Sequence, residues 1–199
     1  MMNPLKKQWF FKGFYKELRS VMTFREADAI WQEAGEEYTR LMREMPQLKK
    51  HPGAMAIPAV CLYKALANHG KDTEMLKAYG TEQGIRFAKA VHALTSIPGV
   101  DKLIWNNAEK LGDRMSSEKL GYKRRLESDP PLMYGVDILS CPYHELAKQL
   151  DAEKAVLCIC CMDKEYSKGF RHIRYERNGS VAEGAECCAY RLSFDPEKE

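Results

Sequence analysis

The stretch "VLCICCMDKEY", residues 156–166, places three cysteines in four positions and follows them with an aspartate. Such thiols can hold a metal, supply a nucleophile, or simply pack a strand as small residues, and the rest of the sequence must decide. With the residues before it, "EKAVLCICCMD" reads as a strand, either of period two or buried on both faces. A strand puts Cys158 and Cys160 on one face and Cys161 on the other. It also leaves Asp163 at the strand end. That assignment settles both the fold of the last third and which thiols can meet.

The flanking segments point the same way. "PLMYGVDIL" (131–139) is extended and apolar. "FRHIRYERNG" (170–179) and "AECCAYRLSF" (185–194) alternate, the second with Cys188, Tyr190, Leu192 and Phe194 on one face. Asn178-Gly179 is a turn signal. Between the first two strands, "CPYHELAKQLD" reads as a short helix. The first two thirds are helical. Thr23 and Glu26 form a capping-box pattern, and Ala27, Ile30, Trp31, Ala34, Tyr38 and Leu41 recur at helical steps until Pro46. "AMAIPAVCLYKALANHG" carries an apolar surface broad enough for a central helix stopped at Gly70. A third helix spans Leu76 to Leu94, weakened at Gly80 and Gly84, and a fourth carries Val100, Leu103, Ile104, Ala108 and Leu111. The basic "GYKRRLESDPP" reads as a solvated face closing the helical part. The expectation is a single α+β domain over 1–199. An N-terminal helical layer (1–130) precedes a small antiparallel sheet of about four strands with one short inserted helix (131–199).

A chain of 199 residues with 45% hydrophobic and 30% charged residues is ordinary for a globular protein. Its net charge of +3, with bases and acids interleaved, gives no reason to expect nucleic acid. No run approaches the ~20 apolar residues of a membrane-spanning helix. The opening "MMNPLKKQWFFKGFYKEL" lacks the apolar core and small-residue cleavage site of an export signal, so a cytoplasmic location is expected. The aromatic set Trp9, Phe10, Phe11, Phe14, Leu18 and Met22 either packs on the chain's own core or forms a docking face, and a homo-oligomer stays open. Seven cysteines, an odd number with two adjacent pairs, suit free thiols rather than a disulfide framework.

Those thiols and their neighbours are the candidate site. Pro142 favours the first helical position, so Cys141 is expected just before the helix, where its sulfur faces free N–H groups and the positive end of the dipole. A thiolate there is a plausible nucleophile; the plainer reading is a small residue closing a turn. Cys160 is a second nucleophile candidate, and Asp163 a general base or orienting group. Arg177, at a strand end, offers a fork for a small carboxylate. His172 reads as surface. No metal is firmly implied. Zinc built from Cys160 with Cys141 and a later cysteine stays possible, though C-x-C-C on a strand is not the usual ligand spacing. A catalytic thiol is expected to alkylate faster than free cysteine, and a merely lining thiol slowly.

The ordering of these residues resembles a known family. Cys141-Pro142-Tyr143 stands at a helix start, Cys160 and Asp163 make C-x-x-D, Arg177 precedes Gly184 by seven residues, and Cys188 follows that glycine by four. This resembles the L-2-aminothiazoline-4-carboxylate hydrolase family, as does the helical "LYKALANHG" (62–70). The chain departs from the pattern at Ala189-Tyr190, where the family tends to show Asp-Phe, and at Asn178 and Ser180, where it tends to have threonines. The resemblance implies hydrolysis of a non-peptide C–N bond in a small cyclic amidine bearing a carboxylate. It also implies Cys141 or Cys160 as nucleophile, Asp163 as base, Arg177 on the substrate carboxylate, and Cys188 and Tyr143 lining the pocket. The competing expectation is a non-catalytic domain binding a small ligand or metal in a cysteine-lined pocket.

Overall fold

A computed structural model describes residues 3–198. The chain divides into two compact units, each made of two segments: Met1–Gly80 with Tyr143–Ile159, and Thr81–Pro142 with Cys160–Glu199.

The first unit is helical. Helix α1 covers Phe14–Val21, α2 Phe24–Glu44 and α3 Ile57–Asn68. The capping box forms as expected: Thr23 Oγ1 accepts from the Glu26 N–H, and Glu26 reaches back to the Thr23 N–H at 3.0 Å. Pro46 follows α2 and opens a 3-10 turn. In α3 all residues from Ile57 to Leu62 are buried, with Ala65 and Leu66, so it is the central helix its apolar breadth predicts. Gly70, at φ +64°, ends the turn that follows it. Phe10, Phe11, Phe14 and Leu18 are buried, and Tyr79 Oη donates to the Phe10 carbonyl at 2.6 Å. The aromatic segment therefore packs on its own unit, and only Trp9, at 55% exposure, resembles the docking face considered above.

Helix α4, Glu74–Thr95, runs unbroken through both glycines. The reason is close packing by helix α8, Leu157–Tyr166. A Cβ on Gly80 would lie 2.0 Å from the Cys158 carbonyl oxygen, and one on Gly84 2.6 Å from that of Met162. Gly80→Ala is expected to destabilise the protein by about 1–3 kcal/mol, because backbone cannot swing aside as a flexible side chain does. A thermal melt should show a fall of several degrees; an unchanged midpoint would refute the contact.

The second unit holds the sheet. After helices α5 (Val100–Asn106) and α6 (Ala108–Met115), which divide the expected fourth helix at Asn107, come β1 (Lys123–Leu126) and β2 (Met133–Ser140). Strands β3 (Ile173–Asn178) and β4 (Cys188–Phe194) complete the sheet, while the short inserted helix, α7 (Pro142–Gln149), belongs from Tyr143 onward to the first unit. The strand order is β1-β2-β4-β3, antiparallel throughout. The architecture is α+β.

Three expectations are corrected. "VLCICCMDKEY" is helix, not strand. Residues 155–159 are all buried, so no solvent-facing side exposes the helical period. Met162, Lys164 and Glu165 then favour helix, the last two also disfavouring strand, and Cys158 Sγ donates to the Ala155 carbonyl one turn back at 3.1 Å. The fourth strand instead comes from the basic stretch expected to be a solvated face. Lys123, Arg124 and Arg125 make β1 an edge strand, where charge discourages pairing with another chain. His172 is likewise not a free surface residue: its Nδ1 lies 2.6 Å from Asp101 Oδ2, and the pair is largely buried.

Candidate functional site

Helix α8 turns a separation of three residues into neighbourhood. Cys160 and Asp163, at i and i+3, share one face of a helix, whereas a strand would have set them on opposite faces. Strand alternation supplies the opposing wall. In β3, Tyr175 and Arg177 lie on one face; in β4, Cys188, Tyr190 and Leu192 do. The register sets Arg177 opposite Tyr190 and Tyr175 opposite Leu192, while Cys188 faces Ile138 of β2. Tyr134, Val136, Ile138 and Cys188 form an apolar cluster against which Cys141 and Tyr190 pack.

The polar contacts converge on Asp163. Tyr190 Oη donates to Asp163 Oδ2 at 3.1 Å, and Arg177 Nη1 stands 3.6 Å from the same oxygen. That guanidinium also donates to the Cys160 carbonyl at 3.0 Å and lies over the Tyr190 ring at 5.9 Å. Tyr166 stands beside the carboxylate and favours its anion. The Arg177 side chain is only 5% exposed, so it is a buried cation rather than a rim charge, while Asp163 keeps 26% of its side-chain surface open. Cys188 Sγ accepts from the Val181 N–H at 3.3 Å.

Burial dominates the titration of this cluster. It raises the Asp163 carboxyl above its usual range, and Arg177 with the tyrosine hydroxyls offsets only part of that. It pushes the Cys160 thiol up to about 12, against the pull of Arg177; Cys141, Cys188 and Asp163 are near enough to add to the rise. Burial opposes the Arg177 charge too, but Tyr190, Tyr175 and Asp163 outweigh it and keep the guanidinium protonated. The resting Cys160 is thus a neutral thiol, not the activated thiolate expected of a fast-alkylating nucleophile.

The structure brings Cys160, Asp163, Arg177 and Cys188 together, with Cys141 on the same apolar cluster. Tyr143 belongs to the first unit, where its hydroxyl donates to Met55 Sδ at 3.9 Å. Cys141 immediately precedes α7, as Pro142 led one to expect. All seven cysteines are free. Among the described residues no three His, Cys, Asp or Glu side chains are placed to hold a metal ion. One cleft in the first unit is lined by Glu33, Glu37 and Arg40, and one in the second by Asp113, Arg114 and Arg124; neither is lined by Cys160, Asp163 or Arg177. No helix among the described residues is long and apolar enough to cross a membrane.

Residues 49–192, well over half of the chain, match the family model described as L-2-amino-thiazoline-4-carboxylic acid hydrolase. The chain belongs to this family. No curated protein matches it. Every residue of the cluster lies inside the part matched to the hydrolase family. The departures from the pattern also gain a location. Ala189, where the family tends to show an acid, pairs with Asp137 on β2 and faces away from Cys188 and Tyr190, so that acid is not missing from the cluster. Tyr190 stands where the family tends to show phenylalanine, and its hydroxyl is the one bonded to Asp163. Tyr166, Tyr175 and Tyr190 were not among the residues expected at the site. The available signal was alternation: Tyr175 is two residues from Arg177 and Tyr190 two from Cys188.

Proposed function

We propose that the protein hydrolyses a non-peptide C–N bond in a small cyclic amidine carboxylate such as 2-aminothiazoline-4-carboxylate. The observation that carries this reading is the meeting of a thiol, a carboxylate and a buried guanidinium, Cys160, Asp163 and Arg177, within the family match. The ring amidine carbon is electrophilic and, when protonated, cationic. A cation beside Cys160 offsets the burial that keeps its thiol neutral, so substrate and nucleophile activate each other. Asp163 takes the thiol proton, and the sulfur adds to the amidine carbon. The ring C–N bond then breaks, the nitrogen leaving as an amine with a proton returned from Asp163. Water, deprotonated by Asp163, adds to the same carbon and expels Cys160, leaving a carbamoyl group on the substrate sulfur. Arg177 holds the substrate carboxylate with the N–H groups that Cys160 and Asp163 leave free. In this reading Cys188 stands beside the bound substrate. Cys141 is the second thiol candidate.

The test follows ring opening spectroscopically and assays the product. Cleavage at C–N releases an amine and no new thiol, and Cys160→Ser should abolish it while Cys141→Ser retains it. A free thiol in the product would move the cleavage to the C–S bond, and full activity in Cys160→Ser would remove that residue as nucleophile. The neutral resting thiol also favours a second reading, a non-catalytic ligand-binding domain, which requires binding without ring opening.

A further inference from the structure

The Tyr175 hydroxyl is a buried polar group of this cluster that finds no partner among the described residues. Its oxygen is shielded from solvent and has no hydrogen-bond partner. It stands close enough to Asp163 and Ser167 to act weakly on both, but its oxygen makes a well-formed hydrogen bond with neither, whereas Tyr190 does bond Asp163 and Ser167 Oγ donates to the Asp163 carbonyl at 2.8 Å. A buried hydroxyl without a partner is costly, and such atoms in native proteins call for a reason. The backbone supplies a direction. Tyr175 and Arg177 are two residues apart on one face of β3, and the Tyr175 and Tyr190 rings lie 6.0 Å apart at 59°. The free donor therefore stands on the same wall as the guanidinium, beside the acid whose side chain stays partly open.

We infer that Tyr175 is a substrate-binding residue whose hydroxyl donates to the carboxylate of the ligand, completing with Arg177 a two-sided clamp for a small carboxylic acid. The inference rests on the ligand class named under the hydrolase reading. Neutral phenol and cationic fork divide the work: Arg177 supplies charge, and Tyr175 a directed donor that adds no charge next to Asp163. Burial raises the Tyr175 phenol well above its ordinary value, so it stays protonated and is a poor proton donor in the reaction itself. Its contribution accordingly falls on binding.

Tyr175→Phe separates these roles. With 2-aminothiazoline-4-carboxylate as substrate, KM is expected to rise about 10- to 100-fold with kcat within about twofold, the range for a hydrogen bond to a charged group. With 2-aminothiazoline, which lacks the carboxylate, wild type and variant should match. The unliganded variant should melt no lower than wild type, since the lost hydroxyl had no partner. A lower melting point, equal KM on the carboxylate, or equal losses on both substrates overturns the inference. If wild type opens neither ring but its melting point is raised by the carboxylate and that of Tyr175→Phe is not, the clamp stands and the hydrolase reading falls. If neither compound is turned over and neither shifts the wild-type melt, both fall.

Discussion

Asp163→Asn is expected to lower kcat/KM for ring opening by about 10²- to 10⁴-fold, the usual contribution of a positioned general base. The geometry argues for this residue above its neighbours. Asp163 shares a helical face with Cys160, accepts from Tyr190, and keeps part of its side chain open. Its pH signature follows from burial. The base works ionised, and its raised carboxyl sets the acid limb of kcat/KM above the ~3.9 of an ordinary aspartate. Activity should fall as pH drops through that raised value, and the limb should vanish in the variant. Stability runs the other way. A carboxyl held above its unfolded value favours the fold most when protonated, and that contribution is lost as pH rises from ~3.9 through the raised folded value. Melting curves of wild type and Asp163→Asn across this window should differ by that component. A variant with wild-type kcat/KM would remove Asp163 from the chemistry.

The second expectation concerns Cys160 in the resting protein. A thiol pushed up to about 12 is roughly one part in 10⁴ thiolate at pH 8, against about a quarter for a free cysteine near 8.5. The thiolate that does form is intrinsically more nucleophilic, which recovers about 1.5 orders of magnitude. Exchange with an aromatic disulfide reagent should therefore be about 50- to 100-fold slower than for free cysteine, as followed by mass spectrometry of the peptide carrying Cys160. Reaction faster than free cysteine would show that the site activates the thiol without a ligand, and substrate-assisted activation would be wrong.

Local chemistry with an unambiguous physical meaning was readable in the chain. Thr23 and Glu26 form their box at the start of α2 and Pro142 opens α7, whereas Asn178-Gly179 ends β3 without making a tight hairpin, because residues 179–187 lie between β3 and β4. What escaped was decided by tertiary context. Residues 155–159 are buried on every side, which erases the contrast that separates a period of 3.6 from a period of two. Lys123–Leu126 carries too much charge to be read as strand unless its edge position is known. The site was legible as a set of residues through the family pattern, but not as an arrangement. A strand at 156–166 parts Cys160 from Asp163, and only the helix joins them. The tyrosines around Asp163 were hidden for the same reason, since alternation names the residues sharing a face without saying what that face meets.

Carrying Cys160 and Asp163 on successive turns of α8 has an evolutionary corollary. The pair to which the proposed mechanism gives the chemistry is mounted on a single rigid rod, so mutation cannot adjust the spacing of the two groups without remaking the helix. Strands β3 and β4 are freer: each second position can change its side chain while the ladder of backbone bonds persists. Diversification among relatives should therefore be written at 175 and 190, on the strand wall, with the helical pair inherited as a block.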